Sequence, residues 1–142
     1  MGKHNVTALQ KDSSAFDPAF ENAFDGVLCD VPCSGFGTVC ENPDLPLLKK
    51  EEDVAGLFRP QLAILENCSR YVAEDGALYY STCSVFSEEN DGVVGAFLEK
   101  HPEFRAELPE SPLSHEKKRF GIQFLPDEAF GAGFYVAKMR RV

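Results

Sequence analysis

The 142-residue sequence predicts an α/β fold with a mostly parallel sheet, on three observations. A short apolar run at 24–29, partly β-branched and bounded by turn formers, reads as a buried strand. Apolar residues recurring at three- and four-residue steps over 51–72 read as one face of a helix. An aromatic-rich run at 77–83 reads as a second strand. Strand, helix, strand implies a right-handed parallel crossover, which sets the two strands side by side and pointing the same way. The length suits one domain, 1–142, able to bury most of its apolar surface without staples.

The elements follow in order. Residues 4–9 have the polar-apolar mix of a short strand, and Lys11-Asp12-Ser13-Ser14 follows as a turn. Asp12 thus stands just past a strand end, where it either serves a site or caps the next segment. After the strand at 24–29, residues 38–48 carry two prolines and no clear period, which predicts a surface loop. The helix over 51–72 presents Val54, Leu57, Phe58, Leu62, Leu65, Cys68 and Val72 on one stripe, with Glu51, Glu52 and Asp53 in its first turn. Pro60 interrupts that stripe and predicts a break or kink; Cys68 belongs to the core. Glu74-Asp75-Gly76 turns the chain into the strand at 77–83. Ser87 then reads as the cap of a helix, with Glu88 and Glu89 in its first turn and Val93, Val94, Phe97 and Leu98 as its apolar face. Lys100, His101 and Pro102 end it. A strand is expected at 104–108, a mobile loop at 109–119 ending in the solvated triplet Lys117-Lys118-Arg119, and two closing strands at 121–125 and 133–139.

Composition excludes several classes. A net charge of −9 repels polyanions, so this segment by itself is not a strong non-specific nucleic-acid binder. The first fifteen residues show no cationic start with an apolar block behind it, and no apolar run approaches a bilayer span; neither secretion nor membrane insertion is expected. Five cysteines without a Cys-x-x-Cys pair suit a reduced, cytoplasmic protein. No metal is expected: Cys29, Cys33 and Cys40 with a histidine fit no usual zinc spacing. A thiol oxidoreductase or cysteine hydrolase is disfavoured, because no histidine is placed near a thiol by the sequence.

Chemistry concentrates at Asp30-Val31-Pro32-Cys33-Ser34-Gly35-Phe36-Gly37. The first strand ends there, at the edge of an open α/β sheet where ligands bind. Pro32 fixes its own φ and biases Val31 toward extended geometry. Gly35 and Gly37 allow either a close backbone approach or a turn through positive φ. The stretch is either a rigid elbow holding Asp30 and Cys33 together, or a turn whose cysteine is a small buried hydrophobe. Cys83 ends the second strand, so the crossover puts it beside Cys33.

With both thiol motifs in view, the chain resembles the Sun/Fmu-type RNA (cytosine-5) methyltransferases. Asp30-Val31-Pro32-Cys33-Ser34-Gly35 is similar to the family's motif IV, and Tyr80-Ser81-Thr82-Cys83-Ser84 with Glu88-Glu89-Asn90 to its motif VI. Residues 131–138, Gly-x-Gly-Phe-Tyr-x-Ala-Lys, and 123–126 are similar to its last strand and the segment ahead of it. The similarity runs from about Asn5 to the carboxyl terminus, with Ala132 where the family usually has an acid. It implies a partial Rossmann-like (class I) S-adenosylmethionine-dependent fold with an antiparallel last strand. It is closest to bacterial 16S rRNA enzymes, so the implied partner is ribosomal RNA. The family's Ala-x-Pro-Gly-Gly-Lys-Thr donor loop is absent, and the chain resembles the carboxyl-terminal part of the catalytic domain. Two expectations follow: these residues alone are inactive, and the strand near Val6, lacking its inner neighbours, is poorly ordered, repacked or paired with another chain.

The same resemblance implies the roles. Cys83 is the nucleophile that adds to cytosine C6, Cys33 assists product release, and Asp30 hydrogen-bonds the flipped cytosine edge. Asp12, Asp30 and Pro32 would line the S-adenosylmethionine site, Asp12 at the adenine. DNA cytosine-5 methyltransferases use the motif IV thiol instead, so a swap of the two cysteines is the rival assignment. A helix start after Cys83 would favour a thiolate there. A non-catalytic half-domain, binding neither donor nor RNA, is the alternative from another class.

Overall fold

A mixed sheet of six strands carries two helices on one face in the computed structural model, which describes residues 5–48, 51–126 and 131–142. The strands are β1 (Phe24–Asp30), β2 (Val72–Thr82), β3 (Phe104–Glu107), β4 (Glu116–Lys117), β5 (Gly121–Phe124) and β6 (Phe134–Arg141). The helices are α1 (Leu45–Leu48), α2 (Glu51–Ser69) and α3 (Asp91–Lys100). β1 pairs parallel with β2, as the crossover through α2 requires. β6 lies antiparallel against the other edge of β2, and its far edge is shared end to end by β5 (at 134–137) and β3 (at 138–141). β4 extends the sheet beyond β5. The mixed α/β class is as expected, with the last strand antiparallel. Parallel pairing is confined to β1 and β2; the other four pairings among the described residues are antiparallel.

The core lies between this sheet and α2 and α3. Leu62 and Leu65 of α2 and Val93, Val94 and Phe97 of α3 pack on Leu78 and Tyr80 of β2 and on Tyr135, Ala137 and Met139 of β6. The buried residues of β6 alternate one by one, the period of a strand with one face covered. His101 stacks on Phe97, ring centroids 4.4 Å apart, where α3 ends.

Several expectations are corrected. β1 is not a buried strand: only Cys29 along it is buried, and Leu28 is 67% exposed, because β1 is the sheet's edge and lacks a neighbouring strand to cover it. No strand forms at 5–9, where Val6 and Leu9 are exposed; His4, which opened that expected strand, lies outside the described residues, as does the side chain of Glu51. α2 runs through Pro60 as one helix. Pro60 and Gly56, whose carbonyl loses its partner, are both exposed, so water can take the freed acceptor. Glu74-Asp75-Gly76 does not interrupt β2 but forms a bulge in it, with Asp75 at φ 60° and the register jumping from Phe24↔Val72 to Gly26↔Ala77. The loop expected at 38–48 contains α1, and that at 109–119 contains β4. α3 starts at Asp91, three residues later than a cap at Ser87 implies, since Glu89 and Asn90 are drawn inward.

Candidate active site

Two loops leave the carboxyl ends of β1 and β2 side by side, because Asp30 and Ser81 are partners in the last parallel register. Each loop reaches a cysteine within three residues. Cys33 Sγ and Cys83 Sγ stand 2.9 Å apart, both half-buried. Val31 N–H donates to Ser81 C=O at 3.2 Å, carrying the ladder past the strand ends. Gly35 takes the left-handed turn, φ 80°. Gly37 makes the close approach: its N–H donates to Cys83 C=O at 2.9 Å, and its own C=O accepts from Gly133 N–H at 2.6 Å. The two glycines thus divide the two uses expected of them.

Burial, and then the neighbouring Cys83 thiol, push Cys33 from 9.0 up to about 12, against the opposing pull of the Gly35 and Cys83 amides at its sulfur. At neutral pH Cys33 keeps its proton, and either sulfur of the pair can be the donor in their contact.

Behind the thiols is a buried polar cluster. Glu89 is 1% exposed, and its Oε1 accepts from Ser34 N–H at 2.8 Å and from Gln61 Nε2 at 3.0 Å. Its Oε2 accepts from Ser34 Oγ at 2.6 Å and from Ser84 Oγ. Tyr80 Oη donates to the Glu89 C=O at 2.6 Å, and burial pushes that phenol far up. Asn90 accepts from Thr82 Oγ1 at 2.6 Å and donates to Ser84 C=O and to Gln123 Oε1. Gln61, buried on α2, also donates to Pro32 C=O at 2.9 Å. Glu89 and Asn90 therefore do not fill a first helical turn, as their spacing after Ser87 suggested. The helix start at Asp91 lies eight residues beyond Cys83 and is not what the Cys83 sulfur faces first.

Beside this cluster opens a cavity of about 410 Å³ lined by Asp12, Ser13, Leu28, Cys29, Asp30, Pro32, Ile64 and Cys68. It carries carboxylates and apolar wall together, within the size range of small-molecule sites. Asp30 Oδ1 accepts from Ser81 Oγ at 2.9 Å, and Asp12 Oδ1 from the Ser14 hydroxyl and amide at 2.7 and 2.9 Å, which lowers the Asp12 pKa. Cys68 is not plain core: it is half-buried on this wall, where an S–H from Cys29 lowers its pKa and raises that of Cys29.

The structure therefore gathers the expected residues into two adjoining places, Cys33 with Cys83, and Asp12, Asp30 and Pro32 around the cavity. Cys29 is buried and Cys40 exposed, and no three metal-ligating side chains cluster among the described residues. Reasoning from the sequence missed Ser34, Ser84, Gln61 and Glu89 as site residues. One signal was there: each of the two motif cysteines is followed by serine.

A mixed sheet of this topology with its chemistry at the carboxyl ends of adjacent parallel strands is that of a Rossmann-like methyltransferase. The crystal structure of NSun6 from Pyrococcus horikoshii with SFG shares the fold at a TM-score of 0.77 and 25% identity, covering 98% of this chain and 35% of that one. The chain belongs to the 16S rRNA methyltransferase RsmB/F family, whose model matches residues 1–140. It is 37% identical over 147 aligned positions to the probable ribosomal RNA small subunit methyltransferase B of Bacillus subtilis (strain 168), covering 99% of this chain and 33% of that one. To ribosomal RNA small subunit methyltransferase B of Thermus thermophilus it is 41% identical over 116 residues, covering 82% and 29%. The chain thus spans about a third of the length of these relatives. No helix among the described residues is long and apolar enough to cross a membrane.

Proposed function

We propose that this chain carries the thiol pair, and part of the donor site, of a cytoplasmic S-adenosylmethionine-dependent 16S rRNA cytosine-5 methyltransferase. The observation that carries the reading is the 2.9 Å approach of Cys33 and Cys83 in a member of the RsmB/F family. The donor fits the chemistry of the cavity: Asp12 and Asp30 offer acceptors to hydroxyl and amino groups and opposite charge to a cation, while Leu28, Ile64 and Pro32 offer apolar wall. SFG, bound in the P. horikoshii relative, is an analogue of that donor. When bound, the donor supplies an electrophilic methyl group to cytosine C5.

The chain's own residues do the rest. Cys83, as thiolate, adds to C6; an S–C6 bond forms and the C5–C6 π electrons move to C5, the covalent strategy that splits one hard step into easier ones. Asp30 hydrogen-bonds the edge of the extruded base and balances charge as the ring is attacked. After methylation a base from solvent takes the C5 proton, the C5–H electrons restore the C5–C6 double bond, and the C6–S electrons leave with sulfur to return Cys83 as thiolate. Cys33, 2.9 Å from that sulfur, assists its departure.

The 142 residues hold no Gly-Gly-Lys donor loop, so their affinity for S-adenosylmethionine is weaker than micromolar. Calorimetric titration with the donor tests this. The roles are tested by covalent trapping on a 16S rRNA fragment bearing an ordinary target cytidine, at saturating donor. Cys33→Ala is expected to accumulate a protein–RNA adduct and Cys83→Ala to form none. The reverse pattern moves the nucleophile to Cys33, and no adduct with either variant or the wild type leaves a non-catalytic half-domain.

A further inference from the structure

We propose that Glu89 is a positioning residue: its buried carboxylate clamps the two cysteine loops together through the serine that follows each thiol, and so sets the distance between Cys33 and Cys83. The inference rests on the catalytic reading above only for its biological meaning; the clamp itself is a statement about geometry. One carboxylate spans both loops. Ser34 donates to it twice, from its amide at 2.8 Å and its hydroxyl at 2.6 Å, and Ser84 donates from across the gap. Gln61 holds the same oxygen as the Ser34 amide and, through Pro32 C=O, the elbow one residue before Cys33. Tyr80 fixes the main chain of Glu89. Among the described residues none of these hydrogen bonds goes to either sulfur, so Glu89 acts through its neighbours. Ser34 Oγ and Ser84 Oγ also stand 3.2 Å apart, so the two hydroxyls and the carboxylate form one buried network across the two loops.

The carboxylate is also replaceable in one specific way. In Glu89→Gln the carbonyl oxygen can stay with the Ser34 amide and Gln61, while the amide nitrogen faces two hydroxyls, which can turn to accept. Glu89→Ala instead leaves the Ser34 amide and one N–H of Gln61 buried without their acceptor, which favours opening of the loops by about tenfold or more.

The test reads the gap directly, in the full 142-residue chain with Cys40→Ser to suppress crosslinks between molecules. Diamide joins two nearby thiols as a disulfide, the two hydrogens reducing its N=N bond. The rate of Cys33–Cys83 bridging is followed by peptide mapping under non-reducing conditions, well below the unfolding midpoint of each variant. Glu89→Gln is expected to bridge within about threefold of the parent rate and Glu89→Ala at least about tenfold more slowly, with far-UV circular dichroism unchanged. A folded Glu89→Ala protein bridging at the parent rate overturns the proposal, since a residue that only stabilised the fold would give that result. So does failure of the parent to bridge. If Glu89→Ala does not fold, Ser34→Ala and Ser84→Ala decide: slower bridging in both supports the clamp, and parent rates in both refute it. Loss of RNA trapping with these bridging rates intact would instead count against the catalytic reading alone.

Discussion

Gly37→Ala tests how the two loops are closed. A Cβ at residue 37 would lie 2.1 Å from Gly133 O, 2.7 Å from Gly133 C and 2.8 Å from Cys83 O. All three are backbone atoms, so no side chain can swing aside. The added methyl must push the 35–38 segment away from Cys83, from Gly133, or from both. Each retreat breaks a hydrogen bond that Gly37 makes, to Cys83 C=O or from Gly133 N–H. Overpacking costs about 1–3 kcal/mol and each lost backbone hydrogen bond about 0.5–1.5 kcal/mol, a sum of roughly 2–6 kcal/mol. At about 2–4 °C per kcal/mol for a domain near this size, a loss of about 4 kcal/mol lowers the midpoint by roughly 8–16 °C. The assay is thermal unfolding followed by far-UV circular dichroism. Gly56→Ala is the matched control: it lies exposed in α2 with nothing within 4 Å of the new Cβ. There the substitution should gain about 1 kcal/mol from helix propensity. A Gly37→Ala midpoint within about 2 °C of the wild type would refute the close-approach argument.

Two further outcomes concern titration. Arg140 and then Lys138 pull the Glu107 carboxyl from 4.5 to about 2, with Arg140 Nε at 2.8 Å and Lys138 Nζ at 2.6 Å. A depressed folded-state value means that its stabilisation is present above 4.5 and is lost as pH falls toward about 2. The midpoint gap between wild type and Glu107→Gln should therefore shrink on acidification through that window, and a gap that stays constant would contradict the assignment. For Cys33, a value of about 12 against 9.0 means a thiolate fraction about a thousandfold below that of an ordinary thiol near neutrality. Iodoacetamide at about pH 8 should label exposed Cys40 long before Cys33, with the difference erased in urea; equal rates in the folded protein would be the contrary result.

Hydrophobic period and turn chemistry were enough to place β1, the helical stripe of α2, the strand run before Cys83 and the apolar face of α3, because each is written in neighbouring residues. They also put both thiols at the same edge of the sheet, since parallel strands joined by a right-handed crossover end together. Where local rules misled, a distant partner had won. Glu89 looks like a first-turn acid after Ser87, yet donors from Ser34 and Gln61, 55 and 28 residues away in sequence, draw it into the interior and delay α3 to Asp91. β1 has the composition of a buried strand, but whether Leu28 is covered depends on what lies over its face and edge.

The sequence by itself determined the α/β class, the crossover and the two cysteine motifs at neighbouring strand ends, because periodicity and residue type suffice for those. Only the tertiary structure decided that the sulfurs approach to 2.9 Å, that Cys33 keeps its proton, and that one buried carboxylate ties both loops. Those depend on desolvation and on donors brought together from separate elements, and no local stretch of chain encodes either.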